Sequence, residues 1–351
     1  MKAKQITLAD LAKELGVSPA TVSRALKNHP DISIQTRKKV QELADKLHYR
    51  PNSIAQGLRK QESKVIGVII PEIVHHFFSS VISGIMEYAY QAGYRVMLCQ
   101  SMESLAKEKE DVEALFSSRV DGILISLANE TNNYAHLEEM RNYGLPIVSF
   151  DKVCQKLENH SMVMIDDYEG AYNVVTHLIE QGYRRIAHIH GPLNPITSQN
   201  RLKAYLDALK DHDLSQNDDY IMGCKQVTQE EGYIFAKKWI QQQPIPDAIF
   251  AVTDLVAIGA MVALKEAGLK IPDDIAVVGY SDWAMASVVE PALTTVAQPG
   301  FEMGKLATSL LIDEIKHLHS DQEIPYQHHT EVLKTQLKIR KSSVRKPILV
   351  S

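Results

Sequence analysis

A run of short hydroxyl side chains followed by an arginine is the first group in the chain whose residue types suggest a specific chemistry. Ser18, Thr21 and Ser23 carry hydroxyls that suit phosphate oxygens, and Arg24 can donate two parallel hydrogen bonds to a guanine edge. The apolar residues between them have helical spacing and would turn inward, which leaves the polar side chains on the outer face of one helix. This combination indicates contact with a nucleic acid rather than catalysis.

Local signals place that helix second in a group of three. Thr7 can cap the first helix, and Gly16 ends it where a left-handed residue is usual. Pro19 suits the first turn of the second helix, and a third helix fits residues 33–48. Two short helices joined by a glycine turn, with a third helix after them, predict a helix-turn-helix. The start of the second helix would then enter the major groove. The alternative is a structural three-helix bundle without a DNA role.

Residues 6–12 and 16–26 closely resemble the DNA-binding headpiece of the LacI/GalR family of bacterial transcription regulators. The resemblance runs from about residue 4 to about residue 340. It implies a sequence-specific regulator, expected to be a repressor, that binds a near-palindromic operator as a homodimer. It also implies control by a small effector, a sugar or a sugar derivative. The headpiece contacts that it implies are Thr7, Ser18, Pro19, Ala20, Thr21, Ser23 and Arg24.

The segment that follows the headpiece, residues 50–61, predicts a short and marginal helix. Asn52 is a good cap behind Pro51, but Gly57 interrupts the helix that it starts. The resemblance makes this segment a hinge helix that orders on DNA, with Asn52, Ala55 and Leu58 among its contacts. Leu58 matches a leucine that inserts into the minor groove to kink the duplex. The alternative is a linker with a frayed turn.

Charge is unevenly distributed along the chain. Residues 1–60 contain twelve Lys or Arg against five Asp or Glu, a net of +7, so the remainder carries −12 of the total of −5. A basic head on an acidic body suggests that only the head meets a polyanion. Three widely spaced cysteines suit reduced thiols, and neither a signal peptide nor a membrane span is recognisable. We therefore expect a cytoplasmic protein without a membrane partner.

From residue 65 to residue 280, apolar strand-like runs alternate with helical stretches. Such alternation predicts parallel sheets covered by helices on both faces. The fold class that we expect is an all-α headpiece followed by an α/β two-lobed domain like that of periplasmic binding proteins. The predicted domains are 1–49 (helix-turn-helix), 50–61 (hinge), 62–340 (effector binding and dimerisation) and 341–351 (tail). Lobe 1 takes about 62–161 and 293–323, and lobe 2 about 162–290 and 324–340.

Ligands of open parallel sheets bind beyond the carboxyl ends of the strands, which directs attention to the segments after each predicted strand. By resemblance, Phe77 and Phe78 cover the effector ring, and Arg201 is the effector-binding arginine. The alternatives are packing at a helix start for the phenylalanines and a surface position for the arginine. The expected effector contacts are Phe77, Phe78, Asp151, Thr197, Arg201, Thr253 and Ser281.

Two of these positions depart from the family pattern. Thr253 stands where many relatives have Asn, and Ser281 where many have Asp. The substitutions remove an amide and a carboxylate that often bind sugar hydroxyls. The ligand is therefore expected to be less hydroxylated than a free hexose, or to carry an anionic group.

Other function classes lack support in the sequence. The serine-hydrolase, dinucleotide and phosphate-loop motifs are absent, and the histidines are not at zinc-like spacings with the cysteines. We therefore expect no catalytic residues, no metal and no cofactor. A solute receptor would need a signal peptide and no DNA head, the reverse of this chain. The tail has no leucine heptads of the kind that build tetramers, which favours a dimer.

Overall fold

The computed structural model describes residues 6–50, 62–73, 76–320 and 324–345, and it divides the chain into two units after Ser63. The described residues of the first unit form helices α1 (Leu8–Leu15), α2 (Pro19–Leu26) and α3 (Ile34–Lys46). Capping explains where they begin. The Thr7 hydroxyl accepts the Asp10 N–H, while the Asp10 carboxylate accepts the Thr7 N–H at 2.9 Å, a complete capping box.

The glycine turn and the packing of the three helices confirm the predicted helix-turn-helix. Gly16 ends α1 with a φ of 65°, a left-handed conformation that glycine adopts without a steric penalty. Leu11 of α1, Val22 of α2 and Val40 of α3 are almost completely buried in one small core. The sequence thus specifies this unit largely through local signals and a single apolar seam.

The second unit begins with a parallel sheet that forms lobe 1. Its strands are β1 (Val65–Ile70), β2 (Arg95–Gln100), β3 (Gly122–Ile125), β4 (Ile147–Phe150), β5 (Ser161–Ile165) and β11 (Thr330–Leu333). They lie in the order β11-β5-β4-β3-β1-β2. Helices α4 (His76–Gln91) and α11 (Gly300–Leu318) cover one face, and helices α5 (Leu105–Ser117) and α6 (Ala135–Asn142) cover the other. Because both faces are covered, β1 is a continuous apolar run.

Lobe 2 repeats this architecture on a smaller sheet. Strands β6 (Ile186–His190), β7 (Ile221–Gly223), β8 (Ala248–Ala251) and β9 (Ala276–Val278) lie in the order β7-β6-β8-β9. Helices α7 (Asp167–Glu180) and α8 (Ile196–Asp211) pack on one face, and α9 (Gln229–Ile240) and α10 (Asp254–Glu266) on the other. The two-lobed fold class predicted from strand–helix alternation is confirmed.

The chain passes between the lobes three times, and two of these passages pair with each other. Strand β10 (Thr295–Ala297) runs antiparallel to β12 (Gln336–Lys338). The third passage follows β5 and leads directly into α7. The lobes are therefore joined by three strand-like segments, an arrangement that suits hinge motion of one lobe against the other.

The lobe boundaries differ from the predicted ones. Residues 162–165 and 324–333 were assigned to lobe 2, but β5 pairs with β4 and β11 pairs with β5, so both strands complete the sheet of lobe 1. The alternating pattern identifies strands, but it does not say which sheet a strand joins, because partner choice depends on contacts distant in sequence. Within the described ranges, no helix is both long and apolar enough to cross a bilayer.

Candidate functional site

The exposed face of α2 carries most of the predicted headpiece contacts. Pro19, Ala20 and Arg24 are exposed, and Thr21 and Ser23 are partly exposed. The opposite face is anchored by two completely buried side chains, Val22 and Ala25. The side chains that could reach a base edge therefore share the exposed face of α2, with Pro19 and Ala20 at its start and Arg24 in its last turn.

Two of the predicted hydroxyls also hold the helix in place. The Ser18 side chain caps α2 by accepting the Thr21 N–H at 3.1 Å, and the two hydroxyls lie 2.9 Å apart. Thr7 plays the same part in α1 while remaining exposed. Helix N-termini present unpaired N–H groups that favour anions, so these positions suit phosphate oxygens as well as capping. The predicted hinge contacts Asn52, Ala55 and Leu58 lie outside the described residues.

All seven predicted effector residues line a single cavity between the two lobes. The cavity has a volume of about 350 Å³, the size of a small metabolite site. The residues that it brings together from across the sequence are Phe77, Phe78, Asp151, Thr197, Arg201, Thr253 and Ser281. They reach it because β1, β4, β6 and β8 end at this cleft, as expected for ligand sites of parallel sheets.

Arg201 is buried at the floor of the cleft and is firmly held. Its Nε and Nη2 donate to one carboxylate oxygen of Asp167, each at 2.7 Å, and Nη1 donates to the Val252 carbonyl at 2.9 Å. The guanidinium carbon lies 3.7 Å from the centre of the Tyr280 ring. The arginine is therefore not a surface residue, and its orientation is fixed before any ligand arrives. Its main partner is Asp167, which is not among the effector contacts predicted from the sequence.

Helix α8 begins at Ile196. Pro195 precedes it with extended backbone, and the chain turns into the helix directly after it. This start puts Thr197 and Arg201 one helical turn apart on the face that looks into the cleft.

Asp151 supplies an acidic group to the same cavity. It is 6% exposed and has a φ of 59°, a left-handed conformation that aspartate tolerates better than most residues. Burial raises the pKa of this carboxyl to about 7, although Lys152 and Arg201 act in the opposite direction. The nearest polar side-chain partner is the Ser126 hydroxyl, which donates to it at 3.4 Å.

Asp254 is a cleft residue that sequence analysis missed. Its carboxylate accepts the Thr295 hydroxyl at 2.5 Å and the Trp283 N–H at 2.6 Å, so it ties the cleft to the crossing strand β10. Burial raises its pKa to about 6. The rule that directed attention to Asp151, an acid just after a buried strand, also describes Asp254, one residue beyond Thr253. Thr253 itself caps α10 by accepting the Val256 N–H.

Other cavity residues that the sequence did not single out come from loops and from the first turns of α4 and α8. Trp283 adds an aromatic surface opposite the phenylalanines of lobe 1, whose rings meet edge to face with centroids 5.3 Å apart. The polar additions are Glu72, His76, Glu103, Asn129, Lys152, Ser198, Gln226 and Gln298. Proximity in sequence could have indicated some of these positions, because His76, Lys152 and Ser198 adjoin predicted residues and Trp283 lies two residues beyond Ser281.

A side chain of lobe 2 bridges the mouth of the cleft. Asn194 donates from Nδ2 to the Asn129 carbonyl at 2.8 Å and to the Thr131 carbonyl at 2.6 Å. The loop that receives it is held by buried Glu108, which accepts the Ala128 N–H at 2.6 Å. The two lobes are thus hydrogen-bonded to each other beside the cavity, and a change in their separation would break these bonds.

The pKa of Asp151 predicts a change in stability with pH. The unfolded value is about 3.9 and the folded value about 7, so the native state binds more protons between these limits. Stability should therefore fall as pH rises through that window, whereas Asp151→Asn should remove this loss. We expect the free energy of unfolding of Asp151→Asn, relative to wild type, to increase between pH 5 and pH 8 in urea titrations.

The exposed carboxylate of Glu113 provides the control, because Glu113→Gln removes the same charge from the surface of α5. Other groups with shifted pKa values are present in all three proteins, so their contributions to the pH dependence cancel in the comparison. They are Asp254, His160, His188 and His328. A difference that is constant with pH would show that Asp151 is ionised throughout.

Comparisons with known proteins agree with both units. The sequence profile of the bacterial regulatory proteins of the lacI family matches residues 7–52, and that of the periplasmic binding protein-like domain matches residues 175–343. Catabolite control protein A of Priestia megaterium is 33% identical over 307 residues, covering 87% of this chain and 91% of its own.

Solved structures give the same result over nearly the whole chain. The lac repressor dimer bound to operator and the anti-inducer ONPF superposes with a TM-score of 0.82 at 26% identity, covering 97% of this chain and all of that one. A complex of the transcriptional regulator CelR with cellobiose superposes with a TM-score of 0.72 at 27% identity, covering 96% and 100%. With its helix-turn-helix, its two-lobed domain and relatives of this similarity, the chain belongs to the LacI family of DNA-binding transcription regulators, which are not enzymes.

Proposed function

We propose that this protein represses transcription from a near-palindromic operator and that a small effector bound between the lobes controls its operator affinity. The observation that carries the proposal is the convergence of seven sequence-distant residues on one cavity, in a chain that also presents a helix-turn-helix. Since its target would be chromosomal DNA, we assign it to the cytoplasm. The relatives support the scheme, because the lac repressor structure is a complex with operator and the CelR structure is a complex with cellobiose.

DNA reading is assigned to the exposed face of α2. Arg24 would donate to guanine, and Pro19 and Ala20 would lie against the groove. The hydroxyl groups would meet phosphates, namely those of Thr7, Ser18, Thr21 and Ser23. Asn52, Ala55 and Leu58 are proposed to complete the interface at the minor groove. The net charge of +7 in residues 1–60 supplies the attraction to the duplex.

The effector is assigned to the cleft, with a sugar or sugar derivative as its class. Arg201 has N–H groups beyond those bound to Asp167 and Val252, and these can donate to a ligand oxygen. Thr197 and Ser281 add polar groups, while Phe77 and Phe78 offer an apolar surface. Closure of the lobes around the ligand would move lobe 1 relative to lobe 2 through the three crossing segments.

A homodimer fits the distribution of exposed apolar side chains. In lobe 1, Met86 and Tyr90 stand one turn apart on α4 and are 47% and 84% exposed, next to edge strand β2 with Met97 at 40%. In lobe 2, Ile234 of α9 and Val288 are 52% and 68% exposed. Exposed apolar groups of this kind mark protein interfaces, and a two-fold dimer would match a palindromic operator.

Loss of Arg24 should weaken specific binding more than non-specific binding. Arg24→Ala removes a bidentate contact to guanine and should cost about 1–3 kcal/mol on the selected operator. Fluorescence anisotropy on the operator and on random duplex at one salt concentration would measure it. Lys46→Ala, which removes an exposed charge at the end of α3, is the control. Equal losses on both duplexes for Arg24→Ala would show that the arginine touches only phosphate.

An effector that occupies the cleft should change operator affinity. A metabolite screen by thermal stability, beginning with cellobiose and D-ribose, should find a compound that also shifts the operator Kd by about 5- to 150-fold. Arg201→Lys keeps the charge beside Asp167 but loses the planar fork, so it should bind operator normally and respond less to the compound. Arg119→Lys, at an exposed loop, is the control. A stabilising compound that leaves operator affinity unchanged would contradict the assigned coupling.

A charge introduced on the exposed face of α4 should disrupt the proposed dimer. Tyr90→Asp places a carboxylate in the proposed interface and should convert a dimer into a monomer in sedimentation equilibrium at micromolar concentration. Leu318→Asp, at a 54% exposed position near the end of α11, should remain dimeric. A wild-type protein that sediments as a monomer or a tetramer would contradict the assignment.

A further inference from the structure

Formal charges around the cleft do not balance. Among the described residues, the cavity is lined by the carboxylates Glu72, Glu103, Asp151 and Asp254, by the cations Lys152 and Arg201, and by the imidazole of His76. Asp167, the partner of Arg201, adds a fifth carboxylate directly behind the wall. Five acidic groups thus face two basic ones around a volume of about 350 Å³.

Both cations already have carboxylate partners. Arg201 donates twice to Asp167 at 2.7 Å, and Lys152 Nζ donates to Glu103 at 2.5 Å and to the Asn129 side chain at 2.7 Å. An anionic ligand would have to share one of these cations with its present carboxylate. A further negative charge in this cavity is disfavoured by repulsion from the carboxylates unless a new cation comes with it.

Acceptors rather than cations are available to a ligand at this site. Asp151 faces the cavity from a 6% exposed position, and among the described residues its side chain accepts a long hydrogen bond from Ser126 at 3.4 Å. Its second oxygen can accept from a ligand O–H or N–H group. Phe77, Phe78 and Trp283 line the cavity as aromatic surfaces on which a ring can pack.

We propose that the effector is an uncharged or positively charged ring compound that donates hydrogen bonds to Asp151, and that the cleft rejects phosphorylated and carboxylated metabolites. This inference rests on the proposed effector function of the cleft and names the ligand class. It selects between the two alternatives left by the substitutions at Thr253 and Ser281, a less hydroxylated ligand or an anionic one. The second requires an uncommitted cation, whereas Lys152 and Arg201, the Lys and Arg among the described lining residues, are both paired with carboxylates.

The sign of the potential inside the cleft can be measured without knowing the ligand. The chain has two tryptophans: Trp283 lines the cavity, whereas Trp239 is 1% exposed in the core of lobe 2. In a Trp239→Phe protein, fluorescence therefore reports Trp283 alone. Its quenching by iodide, caesium and acrylamide, at constant ionic strength and pH 8, compares an anion, a cation and a neutral molecule at the same site.

Each quenching constant of Trp283 is divided by that of free N-acetyltryptophanamide. We expect this ratio to be lower for iodide, and higher for caesium, than for neutral acrylamide. A potential of one kT should lower the local iodide concentration roughly threefold. Asp151→Asn should raise the ratio of iodide to caesium quenching, whereas surface control Glu113→Gln should leave it unchanged. If Trp239→Phe fails to fold, subtraction of the Trp283→Phe signal from the wild-type signal yields the same quantity.

Inorganic phosphate provides the direct test of anion rejection. At constant ionic strength, phosphate should not protect Trp283 from acrylamide. Protection by phosphate, iodide quenching that equals or exceeds caesium quenching, or no effect of Asp151→Asn beyond that of Glu113→Gln would each overturn the inference. The proposed function fails differently: a cleft that repels iodide in a protein whose operator affinity responds to no compound would preserve the charge assignment and remove the effector role.

Discussion

The buried ion pair between Arg201 and Asp167 joins helices α8 and α7 at the floor of the cleft. Desolvating two charges costs several kcal/mol for each ion, and here good geometry offsets that cost. Both partners are less than 10% exposed, Nη1 of the arginine binds the Val252 carbonyl, and Tyr280 covers one face of the guanidinium. Removal of either partner would leave a buried charge alone, which typically costs 3–5 kcal/mol. The same pair that stabilises lobe 2 therefore fixes the polar floor of the cavity.

From that floor, the hydrogen bonds extend to the segments that join the lobes. Asp254 binds the Thr295 hydroxyl on crossing strand β10, and Asn194 binds two carbonyls of lobe 1 beside the cavity. A ligand that pulls the lobes together or apart must strain or reform these bonds. In the proposed function, this is how occupancy of the cleft would reach the rest of the molecule, because packed lobes shift as rigid bodies rather than deform.

The two units also differ in the sign of their net charge. The head has a net positive charge, while the body has a net negative charge and lines its own cavity with carboxylates. A polyanion is thus attracted only to the head. The cleft of the body disfavours small anions, because its cations Arg201 and Lys152 are already paired with Asp167 and Glu103.

Sequence alone determined the elements whose signals are local. The caps at Thr7 and Ser18 and the turn at Gly16 set the headpiece helices, and strand–helix alternation gave both parallel sheets. The family resemblance located seven cleft residues that the fold then brought together. The hinge contacts lie outside the described residues and stay predictions.

Tertiary structure decided what depends on distant partners. Strands β5 and β11 belong to lobe 1 because β5 pairs with β4 and β11 pairs with β5. The residues of these two strands do not by themselves indicate which sheet they join. Asp167 became the partner of Arg201 across 34 positions, and Asp254 became a cleft acid through Thr295 and Trp283. The raised pKa of Asp151 follows from burial. Hydrogen bonding, burial and charge balance are properties of the three-dimensional neighbourhood, so a pattern along the chain can name the candidates but cannot assign their partners.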